Sequence, residues 1–204
     1  MSALAGRVVG MDPKLTLASY LQDGRDALLW KLDGLSPYDA RRPLTPTGTS
    51  LLGLVKHLTS CEYGYFGITF DRLPDDVPDW VLTDDDEDPN RDLYATAEES
   101  VDGLVAGYRA ACANSDATID ALALDAEGSV PWWSPARRTV TLHQVLVHMI
   151  AETHRHAGHA DLAREAIDGA AGLLPGVTNL PSWNAAAWRD HAAKLERIAQ
   201  EATD

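Results

Sequence analysis

Basic residues are scarce in this chain. Lysine and arginine together number 17 against 31 aspartates and glutamates, a formal net charge of −14. A balance of that sign leaves no basic footprint for a nucleic-acid backbone or an anionic membrane, so neither is an expected partner. Cysteine is scarcer still: Cys61 and Cys112 stand far apart with no CxxC pair, which excludes a disulfide framework and a zinc-thiolate site. No apolar run reaches the roughly 18 residues that a membrane span requires. The opening MSALAGRVVGMDPK also lacks the apolar core of a signal peptide, and the cytoplasm is the expected location. Strand-like alternation and internal repeats are missing too. What is present is a 45% hydrophobic content over 204 residues, enough for one domain with a sizeable core and cramped for two.

The apolar residues recur at helical spacing. Asp12-Pro13 has the form of an N-cap with proline in the first turn, after a frayed start over residues 1–11. Leu17, Leu21, Gly24, Leu28 and Leu32 then mark a first helix that Gly34 can end. Three prolines make SPYDARRPLTPTGTS a loop, and Thr49 or Ser50 can cap a second helix, LLGLVKHLTSCEYGYFGITF. The acidic stretch DRLPDDVPDWVLTDDDEDPNRD predicts a long surface connection, with the run Asp84 to Asp88 solvated. Thr96 and Glu99 have capping-box spacing ahead of a third helix carrying Val101, Leu104, Tyr108, Cys112, Ile119 and Leu122. A connection bearing Trp132 and Trp133 leads to a fourth helix, Thr141 to Asp168, capped by Thr141 and Gln144 and closed at Gly169. Residues 169–204 form a Gly/Pro-rich link and a last helix from near Ser182. The expected fold is all-α, a four-helix bundle with an additional C-terminal helix in a single domain over 1–204.

The fourth helix, TLHQVLVHMIAETHRHAGHADLAREAID, organises the rest. Leu142, Val145, Leu146, Met149, Ala160, Ala163 and Ile167 gather into one stripe at about 100° per residue. Glu152 and His156 fall within it, four residues apart and one above the other. An unpaired buried charge costs several kcal/mol, so the two must satisfy each other or bind something, and a divalent metal would serve. His148 lies about 80° and His159 about 60° from His156, whereas His143 lies about 140° round and His154 about 160°, so that His154 is expected to see solvent. A third ligand has to come from another helix, and His57 is the one histidine outside the fourth and last helices. The result is a His57/Glu152/His156 triad with an open position. Spacing alone does not separate it from a helix-stabilising ion pair beside a structural histidine.

The phrases GTSLLGLVKHLTSCEYGYF and TLHQVLVHMIAETHRHAGHADLAREAIDGA resemble the two signature helices of the DinB superfamily, the YfiT-like metal-dependent hydrolases. In that family a histidine on the second helix and a pair spaced by four near the motif HRGQ hold a divalent metal in a DinB-like four-helix bundle. His156-Ala157-Gly158-His159 stands where HRGQ would. The resemblance therefore implies His57 and His156 as ligands and Glu152 in the first place of the pair. Many members have histidine there; glutamate is similar to the mycothiol-dependent branch, which includes maleylpyruvate isomerase and the mycothiol S-transferases. His159 replaces the motif's glutamine, which alters the hydrogen bonding behind the ligands.

Two imidazoles and a carboxylate suit Zn²⁺, with nickel, iron or manganese as alternatives. An incoming thiol in the open position would be deprotonated by the metal's charge. The expectation is a metal-dependent thiol S-transferase or thiol-dependent isomerase that joins a small-molecule thiol, mycothiol by resemblance, to an electrophilic substrate. A hydrolase using metal-bound hydroxide and a non-catalytic metal-binding stress protein are the alternatives. His148 and His159 are candidates to support the ligands without binding metal. Cys61 can approach the metal or simply pack, Arg41 and Arg42 can meet an anionic substrate or face solvent, and Trp132 and Trp133 can wall a pocket or cover the bundle end. Apolar bundle faces often pair, which leaves a homodimer open.

Overall fold

The computed structural model describes residues 12–82 and 88–202. The expected frayed start and most of the acidic run from Asp84 lie outside them. Four long helices form the bundle: α1 (Pro13–Trp30), α3 (Leu51–Glu62), α5 (Val101–Ala121) and α6 (Leu142–Asp168). Short α2 (Pro37–Arg41) and α4 (Asp79–Leu82) lie in the connections, and α7 (Ala185–Glu201) follows the bundle. α1 packs along α6, α3 lies between α6 and α5, and α5 returns against α1. Among the described residues no helix is long and apolar enough to cross a membrane.

Several ends form as the caps predict. Asp12 accepts from the Lys14 amide, Ser50 from Gly53, and Thr141 from Gln144, while Gly169 closes α6 in the left-handed conformation at φ 79°. Others differ. α1 ends at Trp30, and bonds from Lys31, Leu32 and Asp33 to carbonyls three residues back tighten the chain before Gly34. The N-cap of α5 is Ser100; Glu99 accepts from the Thr96 amide, one half of the expected box, but ahead of the helix. α7 starts at Ala185, capped by Asn184. The second helix is also not continuous: after Glu62 it widens into a π turn, Tyr63–Gly67, then tightens into a 3₁₀ turn, Ile68–Phe70. A small antiparallel hairpin, β1 (Glu127–Ser129) on β2 (Thr139–Thr141), was not expected from alternation, because three residues per strand are too few to show a period.

The core has two apolar clusters. One gathers Leu28, Leu52, Val55, Leu58, Tyr108 and Ala160; the other gathers Leu21, Phe66, Ile119, Val140, Leu146 and Met149. Between them, on α1, α3 and α5, lies a polar layer. Arg25 of α1 reaches Glu62 of α3 with two hydrogen bonds of 2.8 Å, and its third arm reaches Asp116 of α5 at 2.7 Å. Arg25 and Glu62 are 2% and 0% exposed. Ser115 adds a bond to the Glu62 carbonyl at 3.3 Å.

A fork-to-fork pair in such a place is neutral or worse against a well-packed apolar alternative, yet removing one member strands the other charge. Glu62→Ala is expected to lower the unfolding free energy by about 3–5 kcal/mol, whereas Arg25→Met with Glu62→Met recovers most of it. Urea denaturation of both variants decides; equal losses would mean that the layer acts through packing and not through charge.

Candidate functional site

Thr153 and Ala157 fill the gap in the α6 stripe between Met149 and Ala160, and both are buried. Glu152 and His156, one residue back from each, are therefore rotated to the edge of the stripe that faces α3, where they are 28% and 12% exposed. The pair is half-buried at the margin of the core, a less costly position than the dry centre the spacing implied. His57 of α3 meets it there. Its Nε2 is 3.7 Å from Glu152 Oε1, and its ring stands edge-on to that of His156 with centroids 4.9 Å apart. His156 Nε2 and Glu152 Oε1 are 2.9 Å apart, and one donor atom from each of the three residues lies within 4.8 Å of the others.

Sequence reasoning missed Asp92. Its Oδ2 is 2.8 Å from His57 Nδ1. The connection that carries it reads as solvated, but the segment after Asn90 lies directly on α3. Gly53 permits this: a Cβ there would stand 2.0 Å from the Leu93 carbonyl oxygen. A glycine one turn ahead of His57, inside a helix where it costs about 1 kcal/mol, is the signal that was available. Lys56 pins the same region, pairing with Glu99 at 2.9 Å beneath the ring of Trp80.

The groups differ in charge. Burial disfavours a charge on His57, but the hydrogen bond to Asp92 and contact with Cys61 outweigh it and raise its pKa from 6.5 to about 10. Burial holds the Cys61 thiol above its usual range, so that it is neutral at pH 7 and Asp92 is the partner that matters. His156 is lowered by burial and by His57, against the pull of Glu152. Burial would raise Glu152, but its bond to His156 and the surrounding histidines keep it below the ordinary value and ionised. For a tetrahedral cation with bonds of about 2.0–2.2 Å, neighbouring donors sit roughly 3.3–3.6 Å apart. Two imidazoles and a carboxylate at the observed separations fit such an ion with small side-chain shifts.

A cavity of about 640 Å³ opens beside the triad, with His57, Cys61 and Glu152 at one side and Tyr65, Trp132 and His148 at another. The model of the mycothiol S-transferase family matches residues 16–169, which run from α1 to the end of α6. The chain belongs to the mycothiol S-transferase family. No curated protein matches it. Among solved structures, a conserved protein from Enterococcus faecalis shares the fold, with a TM-score of 0.53 and 18% identity over 79% of this chain and 100% of that one.

In this member of the mycothiol S-transferase family the other candidates divide. Cys61 both packs on the core and stands with Sγ 3.6 Å from His57 Nε2. His148 lines the cavity, its ring 4.5 Å from that of Tyr65, and burial lowers its pKa. His159 contacts His156 at 5.3 Å between centroids but opens on a separate cleft with Thr45 and Thr49. His156 Nδ1 is buried without a hydrogen-bond partner, so His159 does not supply what the motif's glutamine would. His143 is exposed, and His154, expected to see solvent, turns to α1 and meets the Tyr20 carbonyl at 3.0 Å. Arg41 is committed to the Pro37 and Glu99 carbonyls and Arg42 to Asp39, away from this cavity.

Because the folded value of His57 lies above the unfolded one, the stability it contributes is fully present below pH 6.5 and is lost as pH rises through about 10. Chelator-treated protein should lose stability across that window, and Asp92→Ala should flatten the profile. Thermal unfolding against pH is the check; a variant profile that overlays the wild type removes Asp92 as the cause.

Proposed function

We propose that this protein is a metal-dependent mycothiol S-transferase in which His57, Glu152 and His156 hold a divalent cation, with zinc the ion best suited to the donor set. The observation that carries the reading is the convergence of these three donors within 4.8 Å beside an open cavity, in a chain of this family. Held by these three residues, a cation would supply the charge that makes a small-molecule thiol nucleophilic at neutral pH.

The chain's own groups perform the rest. Asp92 accepts from Nδ1–H of His57, which fixes the tautomer and presents the Nε2 lone pair to the site. Glu152, held ionised among histidines, offsets part of the cation's charge and anchors the α6 half of the site. The cavity brings an electrophilic carbon to the sulfur; a carbon–sulfur bond forms and the leaving group departs with its electron pair. We place the activity in a single domain spanning 1–204, acting in the cytoplasm.

Elemental analysis of protein purified without chelator tests the site. About one divalent ion per wild-type chain is expected, lost in His57→Ala and Glu152→Ala, with affinity about 10- to 100-fold weaker in Asp92→Ala. Mycothiol should disappear only when an electrophile is present. Full metal retention in both ligand variants would overturn the ligand set, and turnover without thiol consumption would overturn the transferase, in favour of a thiol-dependent isomerase if turnover needs the thiol and of a hydrolase if it does not.

A further inference from the structure

Three rings form one continuous wall of the cavity. Tyr65, on the π turn after α3, is edge-on to Trp132 at 5.3 Å and tilted against His148 at 4.5 Å. Its hydroxyl accepts from Trp132 Nε1 at 3.4 Å and from Trp133 Nε1 at 3.3 Å, which ties the tryptophan loop to the helix. Gly64 makes room: a Cβ there would press on the Trp132 ring at 3.0 Å. Trp132 remains 50% exposed, a large apolar face held in place over the opening. Ile68, Val81 and Pro131 complete the apolar lining.

Beyond His57 and the cation the triad would hold, the described lining of the cavity adds no positive charge. Among the described residues no lysine or arginine lines it. Arg137 stacks on the ring of Trp133, 5.5 Å from its centroid and outside the lining, and its charge adds to burial in lowering the pKa of His148. Glu152 and one thiolate already neutralise a divalent charge, which leaves nothing to pair with a carboxylate on the second substrate. A buried unpaired carboxylate would be expelled, whereas a flat neutral ring stacks favourably.

We propose that the Tyr65–Trp132–His148 wall is the subsite for the electrophile and that it selects neutral, planar aromatic electrophiles over anionic aliphatic ones. The proposal rests on the transferase reading for its chemistry, and on geometry alone for binding. With an aryl halide, the thiolate sulfur bonds to the ring carbon that bears the halogen, the carbon–halogen bond breaks, and halide leaves with the electron pair. The thiol proton passes to solvent, and no oxidant or reductant is needed.

Two measurements separate the subsite from the chemistry. Calorimetry with 1,3-dinitrobenzene, which has no halide and whose nitro groups do not activate each other for displacement, should show binding that weakens about 3- to 10-fold in Trp132→Ala and again in Tyr65→Leu. Mycothiol consumption should then be faster with chlorodinitrobenzene than with fumarate, and the preference should shrink in Trp132→Ala. Dinitrobenzene binding that ignores Trp132, or fumarate turned over as well as the aromatic compound, overturns the subsite. Trp132-dependent binding with no thiol consumption for any electrophile leaves the subsite standing and overturns the transferase reading instead. Trp132 lies on a loop and is half exposed, so its loss does not threaten the fold.

Discussion

The pair between Arg25 and Glu62 sets the rotation of α3, and the site follows from that rotation. Glu62 has to face α1 in the middle of the core, because neither charge has an alternative partner of equal quality at that depth. On a helix, His57 lies about 140° from Glu62 and Cys61 about 100°, so turning Glu62 inward turns both of the others toward α6. An apolar residue at position 62 would pack at many angles, whereas a bidentate carboxylate–guanidinium fork accepts few. The layer contributes orientation more than net stability, and the triad depends on orientation.

Much of this architecture is legible in the sequence because helices repeat at 3.6 residues and their ends carry chemical marks. Asp12, Ser50, Thr141 and Gly169 act as their residue types predict. The triad is legible for the same reason, since a carboxylate and an imidazole four apart beside an apolar stripe are a local pattern. The polar layer is not local: Arg25, Glu62 and Asp116 lie on three helices, and each reads singly as an ordinary surface charge. Asp92 was hidden by composition. A stretch rich in acids predicts solvent for the average member, and the one aspartate that folds back is marked only by Gly53 on a different segment.

The edge position of Glu152 and His156 reconciles two requirements. At the centre of the stripe they would seal a dry site that no substrate could enter; at the surface they would be screened and mobile. Half-buried, they feel enough of the low-dielectric core for His156 to stay neutral and for Glu152 to stay ionised beside it. The site is thus prepared electrostatically by burial on one side and opened by the cavity on the other.

The π turn completes the arrangement. A π turn places one more residue in the turn than an α-helix does, and such turns recur at functional sites. Here it holds Tyr65 on the cavity side while Phe66, the next residue, is fully buried in the second core cluster. The hairpin then returns the tryptophan loop across that turn, so two segments that are remote in sequence share one aromatic wall. The acidic surface acts in the same direction: a chain with a net charge of −14 discourages anions at long range, and the aromatic wall offers them no lysine or arginine at short range. Charge and shape at this mouth therefore act together, and the basic residues scarce in the chain are also absent from the described lining of the cavity.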